Sequence, residues 1–422
     1  LVVPPVVTVV VGESSTFDVD VSAFATSAPS LTITTSTLPD GVTCSSVLTS
    51  NTGTSHIILT LHASADAAIS ELPIDVHASS NGKIVASSPL LLDVSGVVGS
   101  LDPTFGDAGI MTLPPEADDP NAIGVMQDGT IVIAGFGASK VFVERFLPTA
   151  APPAPWQSSV ASSSAAAISS DGRVAIAMNQ LTSESVIELD ATNAIIDTRD
   201  VPFATALAWD GSGLFVATTS DLRWLGPNGD ALVANDMAVT SLETTSPGSV
   251  LVAGLDTSDR PVVRLFTVNG ATLDATPPAV LTSDVLATRN TVTTPKGTLV
   301  GLTGAASASV VRLDSQRAVV ATYPLDARWF RMTEVLALPS GEPVVLGTSQ
   351  LQMDPNNASL AGFIVGFDSA FGALGHTYLM GITTVATGAI DAEGKYLYVT
   401  GTKNVASQFR GWVARVRLTS TP

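Results

Sequence analysis

Gln127-Asp128-Gly129-Thr130-Ile131-Val132-Ile133-Ala134-Gly135 joins a two-residue turn signal to a run of β-branched and small apolar residues, the composition of a strand leaving a tight turn. The combination returns at Asp171-Gly172, Asp210-Gly211, Pro247-Gly248, Lys296-Gly297, Ser340-Gly341 and Glu393-Gly394, each followed by an apolar strand. These glycines lie 37 to 53 residues apart. After each strand and a short loop comes a second pattern: VFVERFL from Val141, SVIELD from Ser185, DLRWLG from Asp221, VVRLFTVNG from Val262, SVVRLDS from Ser309, FIVGFDS from Phe363 and WVARVRL from Trp412. A period near 40–50 residues carrying several short strands and no helical signal predicts propeller blades, with seven turns giving seven blades.

Outward from that repeat the texture changes. Residues 1–97 alternate strand-like runs with turns, among them Val6–Val11, Ser15–Val21, Leu31–Thr35, His56–His62, Leu72–His77 and Leu90–Val94. In Phe17-Asp18-Val19-Asp20-Val21 the apolar residues fall on every second position, as a strand with one buried face requires. Six or seven short strands in under a hundred residues predict a β-sandwich. The expected organisation is therefore all-β, a sandwich over 1–97 and a seven-bladed propeller over 98–422.

Two resemblances sharpen this. Val11-Gly12-Glu13-Ser14-Ser15, Leu38-Pro39-Asp40-Gly41-Val42 and the run from Thr54 to Leu61 resemble the immunoglobulin-like modules of exported bacterial proteins. Leu101-Asp102-Pro103-Thr104-Phe105-Gly106-Asp107-Ala108-Gly109-Ile110-Met111, with QDGTIVIAG and VERF of the first blade, resembles the bacterial delta-60 repeat, whose units read LDxxFGxxGxV; elsewhere only traces such as Phe367-Asp368-Ser369-Ala370-Phe371-Gly372 remain. In that repeat the strand after LDxxFGxxG is the outermost strand of the preceding blade. The resemblance thus implies that residues 109–113 complete the last blade and close the ring, removing exposed sheet edges.

Charge narrows the partners. The 422 residues carry 19 Lys and Arg against 38 Asp and Glu, a net charge of -19, which repels a phosphate backbone and excludes nucleic acid. No stretch reaches the roughly 18 uninterrupted apolar residues of a spanning helix. Cys44 is the single cysteine, so no internal disulfide forms. Together with a first residue that is leucine, these features lead to the expectation of a chain that is secreted or lies on the outer surface of a bacterium.

No motif supplies catalysis. His56, His62, His77 and His376 show neither HxH nor HExxH spacing and read as ordinary strand residues, with no metal site assigned. No Gly-x-Ser-x-Gly elbow is present, and Cys44 has no basic neighbour to activate it. Asp128, Asp171 and Asp210 precede turn glycines and read as turn caps. Asp256-Thr257-Ser258-Asp259 and Asp354-Pro355-Asn356-Asn357 are oxygen-rich loops that match a calcium loop only in part, and no cofactor is expected beyond that partial match to calcium. Arg145, Arg223, Arg264, Arg312 and Arg415 recur at one place in five repeats and read as braces. Trp156, after Pro152-Pro153-Ala154-Pro155, is the best exposed aromatic for a sugar.

The expected function is a non-enzymatic structural or adhesive protein, self-associating when Val6, Val7, Val9, Val10 and Val11 add a strand to a neighbour's sheet. Other protein subunits and surface glycans are the expected partners. A glycan-binding propeller, or a propeller enzyme working at the channel mouth or a blade groove, is the alternative.

Overall fold

The computed structural model describes residues 1–418 apart from 23–30, 51–53, 66, 69, 97–99, 138–139, 151–153, 159–161, 180–183, 202, 219–220, 228, 235–236, 270–271, 277–278, 282–286, 305–306, 326–330, 355–356, 368–372, 381 and 406–407. Every regular element among the described residues is a β-strand. The low charge fraction and the wealth of Val, Thr and Ala leave few helix formers and many residues that pack well on a pleated surface.

From Ile110 onward the described strands form seven sheets in sequence order, and each sheet opens with a strand that the next sheet's first strand packs against. These first strands are Asp119–Val125, Ser163–Ile168, Ala204–Trp209, Met237–Ser246, Ala287–Thr294, Arg331–Ala337 and Ile382–Ile390, and the last of them packs back on the first. That circular succession is the arrangement of a β-propeller, with the first strands around the axis. The turn after each first strand carries the repeated glycine, and all seven glycines adopt positive φ, from 67° at Gly394 to 115° at Gly297. Only a residue without a Cβ takes that conformation at no cost, which is why the turn is legible in the chain.

The last sheet is built from both ends of this region. Its strands are Ile382–Ile390, Tyr396–Val405 and Gln408–Arg417, with Ile110–Thr112 as the fourth. The register is antiparallel: Trp412 faces Thr112, Val413 faces Met111 and Ala414 faces Ile110. Leu101-Asp102-Pro103-Thr104-Phe105 leads into it, its Phe105 fully buried and Asp102 paired with Arg415 at 2.7 Å.

Apolar clusters fill each gap between consecutive sheets. One joins the seventh sheet to the first through Phe105, Phe142, Tyr398 and Val413, and another joins the first to the second through Val132, Val143, Ile176 and Leu189. Burying a large aliphatic or aromatic side chain contributes about 1.5–3 kcal/mol, so these seams carry the ring. Two of the recurring arginines cross the seams: Arg145 donates from Nε to Asn193 Oδ1 at 2.7 Å, and Arg312 donates to the Gly341 carbonyl at 3.4 Å. Arg264 instead caps the Thr276 carbonyl of its own sheet, Arg223 pairs with Asp221 on its own strand, and Arg415 holds the linker.

Residues 6–95 make two further sheets, one ordered Val6–Val10, Lys83–Ser95, Ser70–Ser80, Leu31–Thr35, the other Ser14–Ser22, Thr54–Ala63, Val42–Ser50. Val19, Leu59, Leu61, Val76 and Leu92 are buried between them. Val6–Val10 runs parallel to Lys83–Ser95, with Val7 and Val9 in the sandwich core and Val6 in the cluster between the fifth and sixth propeller sheets. Of the residues expected to form an assembly strand, Val6, Val7, Val9 and Val10 lie on the edge strand of this sheet, with Lys83–Ser95 on one side, and Val11 follows in the turn. Val6, Val7 and Val9 are buried in the chain's own cores, whereas Val10 and Val11 are half-buried.

Candidate functional site

Where the first strands of the second, third and fourth propeller sheets reach their turns, they enclose a cavity of about 700 Å³. Its wall includes Asp171, Arg173, Trp209, Asp210 and Glu243. A smaller cavity of about 320 Å³ shares Ser170 and Asp171 and adds Arg145. The site thus sits on the turn-bearing face of the ring, and the turn aspartates of two repeats lie in its mouth.

Local folding sets each side chain. Asp210 Oδ1 accepts the N–H groups of Ser212 at 2.7 Å and Gly213 at 2.6 Å, while Oδ2 accepts the Gly248 N–H at 2.9 Å and the Trp224 indole N–H at 3.1 Å. Burial alone would raise this carboxyl; the N–H groups of Gly248, Gly213 and Ser212 outweigh it and hold the group below the usual carboxylate range. Burial acts on Asp171 in the same sense and is outweighed by the Ser169 hydroxyl and Arg173, so its carboxyl is also lowered. Arg173 pairs with Asp171 at 3.0 Å, and its guanidinium carbon lies 4.6 Å from the centre of the Trp209 ring, a cation–π contact. Trp209 donates its indole N–H to the Ala167 carbonyl at 3.2 Å.

Glu243 behaves differently. Its strand, Met237–Ser246, lies against Ala287–Thr294, and its carboxyl accepts the Thr293 N–H at 2.5 Å and the Thr293 hydroxyl at 3.3 Å. Burial pushes this carboxyl up, and the hydrogen bonds from Thr293 draw it only part of the way back, leaving it at about 7. The cavity therefore combines two carboxylates held ionised, one guanidinium stacked on an indole, and one carboxyl poised to gain or lose a proton near neutral pH. Glu334 repeats the arrangement in the sixth sheet, accepting the Gly388 N–H at 2.7 Å with its carboxyl raised by burial to about 7.

The side chains singled out in the sequence fall in several places. Trp156 is half-buried on the short outermost strand of the first sheet and packs on the cluster between the first and second sheets; Trp209 is the tryptophan of the cavity. Asp128, Asp171 and Asp210 accept turn N–H groups, as caps do. Asp256 accepts the N–H groups of Ser258 and Arg260 and pairs with the Arg260 side chain, so that loop is satisfied internally. Pro355 and Asn356 lie outside the described residues. Cys44 is half-buried, and burial raises its thiol. His62 and His77 meet the hydroxyls of Ser14 and Ser87, and His56 meets Asp20, whereas His376 is buried beside Glu71 and Asp93 of the sandwich. Glu243 and Glu334 escaped sequence reasoning; a lone Glu inside strands reading SLETTS and RMTEVLA was the only trace.

No family model matches the chain, and no curated protein is similar to it. Among solved structures, the WD40 domain of Toxoplasma gondii coronin is similar at 8% identity and a TM-score of 0.50, covering 74% of this chain and 87% of that one. A Bacteroides fragilis protein provisionally assigned as a 6-phosphogluconolactonase is similar at 15% identity and a TM-score of 0.48, covering 72% and 96%. Prolyl oligopeptidase B of Galerina marginata is similar at 12% identity and a TM-score of 0.48, covering 72% of this chain and half of that one. The likeness to the WD40 domain shows the fold alone, a β-propeller. The expectation that the chain is not an enzyme does not stand, because the lack of a short motif does not exclude a site assembled from separate sheets.

Proposed function

We propose that the chain is a seven-bladed propeller over 98–422 carrying an immunoglobulin-like sandwich over 1–97, and that the turn-face cavity binds a small hydroxyl-rich ligand, a sugar or sugar derivative, with Glu243 as the proton-transferring group. The observation that carries this reading is the convergence of Asp171, Asp210, Glu243, Arg173 and Trp209 on one cavity. Asp171 and Glu243 carry acceptor oxygens for hydroxyl protons, and Asp210, its oxygens taken by Ser212, Gly213, Gly248 and Trp224, fixes the wall. The Arg173 guanidinium donates in a planar fork and the Trp209 indole edge supplies apolar contact, which together with those acceptors suit a polyol ring. Seven sheets in circular succession support the blade count, and the seven-strand two-sheet module supports the sandwich. The linker from Leu101 to Met111, feeding the outermost strand of the last sheet, supports kinship with the delta-60 repeat. A structural or adhesive role finds no support in this geometry.

The test is titration of the full chain with a panel of monosaccharides, sugar acids and sugar lactones by saturation-transfer NMR and calorimetry. Saturable binding lost in Arg173→Met is expected. If a ligand is turned over, the limb of its pH profile near 7 should vanish in Glu243→Gln while binding persists. Silence across the panel, or binding unchanged in Arg173→Met, would overturn the proposal.

A further inference from the structure

The sandwich meets the propeller at a polar cluster that neither module forms alone. Glu71 and Asp93 stand directly opposite each other on adjacent strands of the sandwich, Ser70–Ser80 and Lys83–Ser95. His376 comes from Ala373–Met380, the fourth strand of the sixth propeller sheet. All three are shielded, with side-chain exposures of 8% for Glu71, 0% for Asp93 and 6% for His376. Like charges placed directly opposite across a sheet oppose its formation, and burial sharpens the conflict, so the pair calls for a cation between the strands.

The imidazole meets that need incompletely. His376 Nε2 lies 2.7 Å from Glu71 Oε1 and 2.7 Å from Asp93 Oδ1. A ring nitrogen bears one hydrogen at most and cannot direct it at two oxygens. Asp93 Oδ1 accordingly accepts no hydrogen bond among the described residues although it is buried. The three donor atoms lie within 4.8 Å of one another. Neighbours hold the groups in place: Thr8 donates to the outer oxygen of Asp93, Oδ2, at 2.8 Å, Tyr378 donates to Glu71 Oε1 itself at 3.2 Å, and Ser95 holds the His376 backbone through its hydroxyl. Supporting hydrogen bonds of this kind orient the ligands of metal sites.

We propose that Glu71 Oε1, Asp93 Oδ1 and His376 Nε2 bind one divalent transition-metal ion of the zinc class, which fastens the sandwich to the propeller. Two carboxylates and an imidazole are a donor set for zinc, with a fourth position left for water, whereas calcium demands six or more oxygens. Zinc bonds of about 2.0–2.2 Å place ligand atoms about 3.4 Å apart in a tetrahedron. Nε2 then recedes from each oxygen by less than 1 Å, a movement within the reach of side-chain rotation.

The experiment uses the full chain, treated with a chelator, dialysed and titrated with zinc chloride by calorimetry, with cobalt(II) absorption as a second readout. One equivalent should bind, cobalt should give tetrahedral d–d bands, and the thermal midpoint should rise. Affinity should fall at least tenfold in His376→Gln and Asp93→Asn. Thr8→Val, which leaves all three ligands and a folded module, should weaken zinc by roughly 10- to 100-fold. No saturable one-to-one binding, or equal binding in His376→Gln, would overturn the proposal and leave the cluster an ion-pair network between modules.

Discussion

Glu144 tests the physical reasoning most directly. It lies fully buried on Lys140–Phe146, third strand of the first propeller sheet, between Phe142 and Phe146, which pack against Tyr398 and Val413 of the seventh sheet. Its two carboxyl oxygens accept no hydrogen bond among the described residues. Burial, helped by the negative charge of Glu116, pushes the carboxyl from 4.5 up to about 8. The folded chain therefore keeps a proton that the unfolded chain releases between those two values. Unfolding free energy changes with pH in proportion to protons bound unfolded minus folded; that difference is negative here, so stability falls as pH rises from about 4.5 to 8 and then levels off. At about 1.4 kcal/mol per pH unit, the loss between pH 5 and pH 9 comes to about 4 kcal/mol from this residue. Glu243 and Glu334, both raised to about 7, add losses of the same sign, so the single-residue effect must be read as a difference between proteins. Urea unfolding followed by tryptophan fluorescence at pH 5, 7 and 9, at fixed ionic strength, should show Glu144→Gln gaining on the parent by about 4 kcal/mol across the range. Glu144→Met, of similar volume and without polar atoms, should gain equally across that range and be more stable at every pH. A constant difference between parent and both variants across pH would refute the account and mean that Glu144 is solvated or paired.

Further outcomes follow from the clamps and the closure. Asp210→Ala strands buried N–H donors of Gly213, Gly248 and Trp224 and should cost about 3 kcal/mol by urea unfolding at pH 7. Because the folded carboxyl titrates below its unfolded value, that contribution is complete above about pH 4 and lost as pH falls through the folded value, so parent and variant should converge in acid. Along the closing ladder Leu113 donates to Gly411 and Arg415 donates to Gly109, which makes Met111 and Val413 the hydrogen-bonded pair between them. Met111→Pro removes that N–H and should cost about 2–3 kcal/mol, with hydrogen exchange rising first along Gln408–Arg417.

The candidate site was only partly legible in the chain, and the reasons are particular. Asp171 and Asp210 were readable as turn caps because an Asp before a turn glycine bonds its own backbone, a contact settled within three residues. That both also line a cavity depends on the third sheet standing beside the second, which no local pattern reports. Glu243 looks like any strand Glu until Thr293, fifty residues on, comes to its carboxyl. His376 was read as a solitary strand histidine because its partners, Glu71 and Asp93, are some 280 to 300 residues earlier in the chain.

What the sequence determined by itself was the all-β class, the repeating turn and the propeller built on it. Positive φ at a turn glycine and alternation along a strand are properties of a few adjacent residues, and they recur often enough to be counted. Only the tertiary structure decided which carboxyls meet, which of them burial and neighbouring N–H groups raise or lower, and that Val6–Val10 lies paired inside its own module. Those outcomes depend on desolvation and on distances between strands far apart in the chain, and both come into being only when the sheets pack.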